Sequence, residues 1–129
     1  MNLKQTRLVS DNVERLTRFY EELTGATADV ISSGYVEFQR SPCAGLAITS
    51  AATASIYGED VLSSAANRSL VLDFQVDDVD AQYARLKQRI GEWVKLPADL
   101  PWGNRAMLFR DPDGNLVNMF EVKRAAQQG

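Results

Sequence analysis

The strongest constraint on this fold is a pattern that occurs twice. A short strand-like run, Leu3 to Val9, precedes Ser10-Asp11-Asn12 and then an apolar stripe, Val13, Leu16, Tyr20 and Leu23, at helical spacing. Gly25 follows, where a left-handed helix end is favoured. At an offset of 66 residues the order returns, with Asp77 for Asp11, Val79 for Val13 and Gly91 for Gly25. A repeat of that length is too long for a solenoid and reads as a duplicated module.

The rest of each half completes the pattern. Thr27 to Ser32, Tyr35 to Arg40 and Leu46 to Thr49 read as strands, with Ser33-Gly34 and Ser41-Pro42 as turns. In the second half, Ser69 to Val76 reads as a strand, and Val79, Tyr83, Leu86 and Ile90 mark a helix. Trp93 to Leu96, Asn104 to Phe109 and Leu116 to Val122 are the later strands. Asp111-Pro112-Asp113-Gly114 is a strong turn, because Pro presets one backbone angle and Gly accepts a positive φ. Asp11 with Glu14 fits a capping box at the first helix. Between the halves, residues 51–68 are rich in Ala, Ser and Thr and hold no period, as expected of a linker or flap. The expected architecture is α+β in a single domain. It has two β-α-β-β-β modules, residues 1–50 and 69–122, and a frayed tail, 123–129.

Composition excludes several chemistries. The 129 residues contain no histidine. This removes Ser-His-Asp and Cys-His nucleophile systems and every imidazole-based metal site. Cys43 is the only cysteine, so no internal disulfide or thiolate cage can form, and it reads as a packed thiol. A net charge of −3 without a Lys/Arg cluster argues against nucleic acid and anionic membrane surfaces. The N-terminus has no apolar signal region, and no apolar run approaches a membrane span, so a cytoplasmic location is expected.

Three motifs then carry a resemblance. Val9-Ser10-Asp11 with Arg18-Phe19-Tyr20-Glu21-Glu22-Leu23-Thr24-Gly25 resembles the opening of the vicinal oxygen chelate superfamily. That group includes glyoxalase I, bleomycin-resistance proteins and extradiol dioxygenases. Phe74-Gln75-Val76-Asp77-Asp78-Val79-Asp80 resembles its second-half signature. Trp102-Gly103-Asn104-Arg105 followed by Phe109-Arg110-Asp111-Pro112-Asp113-Gly114-Asn115 resembles its closing one. The resemblance implies two curled mixed sheets with helices on the convex face, ligand binding in concave clefts, and a homodimer.

Metal-dependent members of that superfamily hold an ion through four ligands on inner strand faces. Carried over by resemblance, the first position falls on Lys4 or Gln5, the second near Ile48 and Thr49, the third on Val71 and the fourth on Asn118. Asp73 is the nearest polar side chain to Val71 on its strand face, and Glu121 points away from Asn118. Two neutral amides do not hold zinc, nickel or iron against water. No metal and no other cofactor is therefore expected.

The reading that follows is a metal-free protein that sequesters a planar or cationic small molecule. Its candidate ligand-binding residues are Gln5, Arg7, Phe38, Tyr57, Asp73, Trp102, Arg105 and Asn118. Core packing is the competing role for Phe38, loop anchoring for Tyr57, and packing at a seam for Trp102. The alternatives are a glyoxalase-like or metal-independent lyase or isomerase, using carboxylates such as Asp73, Glu37 or Glu121, and a vestigial dimeric domain without a ligand.

Overall fold

The computed structural model describes residues 1–123. The tail expected to fray lies outside them but for Lys123. The chain divides into two compact units, Met1–Asn67 and Arg68–Gly129, so the segment expected as a linker belongs, but for Arg68, with the first.

In the first unit the elements run β1 (Thr6–Ser10), α1 (Val13–Thr24), β2 (Asp29–Ser32), β3 (Tyr35–Phe38) and β4 (Leu46–Ser50). The sheet order is β1-β4-β3-β2, with β1 parallel to β4 and the other pairs antiparallel. The second unit repeats this with β5 (Val71–Gln75), α3 (Val79–Leu86), β6 (Glu92–Asp99), β7 (Asn104–Arg110) and β8 (Leu116–Val122). Its order is β5-β8-β7-β6, again with only the first pair parallel. The expected pair of β-α-β-β-β modules is present as two four-stranded mixed sheets.

Each sheet buries one face under its helix. Leu16 and Tyr20 of α1 are fully buried and Leu23 nearly so, as the stripe predicts, whereas Val13 is only half-buried. Beneath them Leu8, Ile48 and Val36 form one row across β1, β4 and β3, and each is 5% exposed or less. In the second unit Val79 and Leu86 of α3 meet a buried layer of Met107, Phe109, Val117 and Met119. Trp93 continues it, with its ring 5.3 Å from Phe109 and 5.2 Å from Tyr83, both edge-on. Each such aromatic or aliphatic side chain contributes about 1.5–3 kcal/mol on burial.

The local differences from expectation have physical causes. β1 begins at Thr6 rather than Leu3, because only from there does β4 offer a partner, with Thr6 N–H donating to Gly45 O at 2.8 Å. The cap of α1 is Asn12, whose side chain accepts from Arg15 N–H at 3.0 Å. Asp11, expected in that role, instead accepts from Ser64 Oγ at 2.7 Å and so tethers residues 51–67. Gly25 is left-handed at φ 77°, as expected. The helix α3 stops at Leu86, short of Ile90. β6 extends to Asp99, beyond the expected Leu96, and it carries two register shifts. Residues 51–57 are not structureless. Ser50 caps a short helix, α2 (Ala51–Ala54), by accepting from Thr53 N–H at 3.0 Å, and a 3-10 turn, Ser55–Tyr57, follows.

Two sheet faces as a candidate ligand-binding site

Strand alternation decides which side chains turn away from the helices. In the first unit, Leu8 and Ser10 are buried, so Arg7 and Val9 occupy the face opposite α1. Gln5 joins them, because its Nε2 donates to Tyr35 Oη at 2.7 Å. Tyr35, Glu37 and Gln39 share that face through β3, and Ala47 lies between Arg7 and Glu37 in one cross-strand row. Of the two candidates for the first position, Gln5, one residue before β1, thus turns to the face opposite α1, while Lys4 reaches Glu37 from the side at 3.6 Å.

Glu37 is 7% exposed, and its carboxylate accepts from the Tyr35 hydroxyl and from Gln39 Nε2, the latter at 2.7 Å. The Tyr35 bond, then the Gln39 bond and the charge of Lys4, hold it below the usual carboxylate range. Burial, then the bond to Glu37, pushes the Tyr35 phenol above its usual value. The two shifts agree: the phenol keeps its proton and the carboxylate keeps its charge.

Arg7 is exposed and flanked by two rings. Its guanidinium carbon lies 5.9 Å from the Tyr35 centroid and 5.2 Å from that of Tyr57, and it donates to Tyr57 Oη. Tyr57 comes from the 3-10 turn of the 51–67 segment, which thereby reaches back onto β1. Sequence reasoning singled out Arg7, Tyr57 and Gln5. Tyr35 is not among the expected ligand-binding residues and Glu37 is expected only as a possible base, because the bond joining them depends on alternation within a four-residue strand.

In the second unit the face opposite α3 carries Val71, Asp73 and Gln75 from β5, Leu116, Asn118 and Phe120 from β8, and Leu108 from β7. Asn118 Nδ2 donates to Asp73 Oδ1 at 2.9 Å, and no cation pairs with Asp73 among the described residues. The apolar residues around this pair are half-buried or exposed, Val71 at 44%. Trp102 stands 72% exposed in the turn between β6 and β7.

Two expected site residues turn elsewhere. Phe38 is 2% exposed and faces the α1 side, because it alternates with Glu37, so core packing is its role. Arg105 lies opposite Glu121 on the α3 side of its sheet. It donates to both oxygens of Asp80, at 3.0 and 2.9 Å, and to Asp99 at 3.2 Å. Those hydrogen bonds, Asp80 first, raise its pKa further, and the Arg105 contact lowers that of Asp80. Glu121 accepts from Val79 N–H at 3.0 Å and so caps α3, on the opposite face from Asn118 as expected. Asp78, Asp80 and Glu121 form an acidic trio, but each already serves the helix start or Arg105. A hollow beside α1 is lined by Asn12, Glu14, Arg15 and Arg18, the helix cap and exposed charges of which Glu14 and Arg18 pair. Cys43 is buried, and burial pushes its thiol up to about 11, which leaves it protonated and unreactive.

The duplicated register corrects one position of the metal comparison. Arg7 pairs Ala47 as Asp73 pairs Asn118, so the counterpart of Asn118 in the first module is Ala47, not Ile48 or Thr49. The matching positions are then Gln5 and Ala47 in one unit, and Val71 and Asn118 in the other. A methyl group and an amide in the first unit, and an isopropyl group and an amide in the second, offer no anionic or imidazole donor, and neither pair fits a transition metal.

Comparisons with known proteins agree with the duplicated architecture. A model of the Glyoxalase/Bleomycin resistance protein/Dioxygenase superfamily matches residues 2–119. The uncharacterized protein YraH of Bacillus subtilis (strain 168) is 28% identical over 127 residues, covering 95% of this chain and 99% of that one. A glyoxalase/bleomycin resistance protein/dioxygenase family enzyme from Burkholderia phytofirmans PsJN superposes with a TM-score of 0.83 at 14% identity, over 95% of this chain and 99% of its own. A glyoxalase/bleomycin resistance protein/dioxygenase from Nocardioides gives a TM-score of 0.78 at 23% identity, over 97% and 85%. Lactoylglutathione lyase from Agrobacterium tumefaciens gives 0.69 at 22%, over 91% and 90%. With its paired modules and a family match across nearly its whole length, the chain belongs to the Glyoxalase/Bleomycin resistance protein/Dioxygenase superfamily.

Proposed function

We propose that this protein binds a planar small molecule, with a cationic group favoured near Asp73, and that it does so without a tightly held catalytic metal. The observation that carries the reading is the donor set. The positions Gln5, Ala47, Val71 and Asn118 hold no ionisable ligand, while the same sheet faces present tyrosine rings in one unit and apolar side chains around Asp73 in the other. Flat apolar contact with a few fixed polar groups is the usual composition of a small-molecule site. The resemblance adds a homodimer, and the sequence adds a cytoplasmic setting. The structure contributes that no helix among the described residues is long and apolar enough to cross a membrane.

Thermal-shift and calorimetric titration with planar cationic, neutral and anionic aromatic compounds tests binding, alongside a turnover assay with methylglyoxal hemithioacetal. Saturable binding of at least one class with no turnover, with or without added nickel or zinc, supports the proposal. Turnover that depends on added metal overturns it in favour of the glyoxalase-like alternative. A metal-independent lyase or isomerase has one observation in its favour, the Tyr35–Glu37 pair. The depressed pKa of Glu37 makes that carboxylate a weak base.

A further inference from the structure

Among the described residues, the first module holds a cation without a counter-ion. Among the described residues no carboxylate pairs with Arg7, in a chain whose acidic side chains outnumber its basic ones, 17 to 14. The obvious candidate, Glu37, lies in the same cross-strand row beyond Ala47. Its oxygens are occupied by Tyr35, Gln39 and Lys4 instead. Arg7 is held by ring faces and one phenol oxygen, contacts that orient a guanidinium without neutralising it.

We infer that this face of the first module takes an aromatic carboxylate, whose anionic group pairs with Arg7 and whose ring stacks against the tyrosines. The inference rests on the ligand-binding reading above and names the ligand class for one module. A planar guanidinium fork matches a carboxylate through two parallel hydrogen bonds, which a neutral or cationic ligand cannot supply. Ala47 leaves the row between β1 and β3 without a bulky side chain. Tyr35 is fixed through Gln5 and Glu37, so it provides a rigid ring. Tyr57 is 52% exposed on a segment tied down by Ser64 on Asp11, so it provides a second, solvent-accessible ring. Lys4, with its side chain 75% exposed, balances the charge of Glu37, so the row keeps the net positive charge of Arg7.

The test uses three probes of one shape, 2-naphthoate, 2-naphthol and 2-naphthylmethylammonium, titrated calorimetrically into the full chain. Wild type should bind 2-naphthoate at one equivalent and about tenfold more tightly than 2-naphthol. Arg7→Met should remove that preference while leaving 2-naphthol within about twofold, and Arg7→Lys should retain part of it. Circular dichroism checks that both variants fold, and Arg7→Lys serves alone if Arg7→Met does not. Equal binding of 2-naphthoate and 2-naphthol, or an unchanged preference in the folded Arg7 variants, overturns the inference. Binding of the naphthol or the ammonium compound without a carboxylate preference overturns it while leaving the proposed function standing. Failure of all three probes to bind counts against both.

Discussion

Asn118 Nδ2 donates to Asp73 Oδ1 at 2.9 Å across the parallel β5–β8 pair. Where the superfamily resemblance calls for a metal-binding carboxylate, this chain has an amide serving a neighbouring carboxylate. Asn118→Asp would set two like charges against each other across one register position, and one of them would have to take up a proton. The variant should lose about 1 kcal/mol relative to wild type at pH 7 and recover most of it near pH 4. Urea midpoints at the two pH values measure this, and equal losses at both would show that repulsion is not the cause.

Metal binding should be absent in wild type and recoverable by substitution. Val71 and Asn118 lie on the same face of adjacent strands, beside Asp73. Val71→His with Asn118→Glu therefore restores one imidazole and one carboxylate next to a carboxylate already in place. Equilibrium dialysis against micromolar zinc should give one equivalent on the double variant and far less on wild type. One equivalent on wild type refutes the donor-set argument.

Glu37 should contribute stability that acid removes. Its folded pKa lies below the ordinary 4.5, so the contribution is fully present above that value and is lost as pH falls through the folded pKa. Glu37→Gln should be less stable than wild type at pH 7, and the gap should narrow steadily below pH 4.5. Tyr35 has the opposite sign. Its folded pKa lies above 10.0, so its contribution holds below that value and fades as pH rises through the folded pKa. Thermal melts of Glu37→Gln and Tyr35→Phe across pH follow the two trends.

Gly34 lies against the start of α2. A Cβ there would lie 2.5 Å from Thr53 Oγ1 and 2.7 Å from Ser50 Oγ, the hydroxyl that caps α2. Gly34→Ala should cost about 1–3 kcal/mol, in line with overpacking a tight site. Adding Thr53→Ala should return part of that. A Gly34→Ala protein with an unchanged melting temperature would mean that the cap moves freely.

Packing at Phe109 is the last case. It is fully buried and meets Trp93, whose ring meets Tyr83. Phe109→Ala should cost about 3–5 kcal/mol and shift Trp93 fluorescence to longer wavelength. Denaturation followed by fluorescence reads both at once, and a loss below 1 kcal/mol would contradict the packing described.

The sequence by itself determined the modules, because their signals are local. The helical stripe Leu16, Tyr20 and Leu23, the left-handed Gly25 and the Asp111–Gly114 turn depend on neighbours a few residues apart. The offset of 66 residues then made the second half a check on the first. Tertiary structure decided what crosses strands. Only the β1–β4 register identifies Ala47 as the counterpart of Asn118. Only alternation in place separates Glu37 from Phe38 and sends Arg105 to Asp80. Only the fold of residues 51–57 brings Tyr57 to Arg7, fifty positions away in the chain. A one-residue slip in a strand reverses every side chain, so face assignments cannot be read until the partner strand fixes the register.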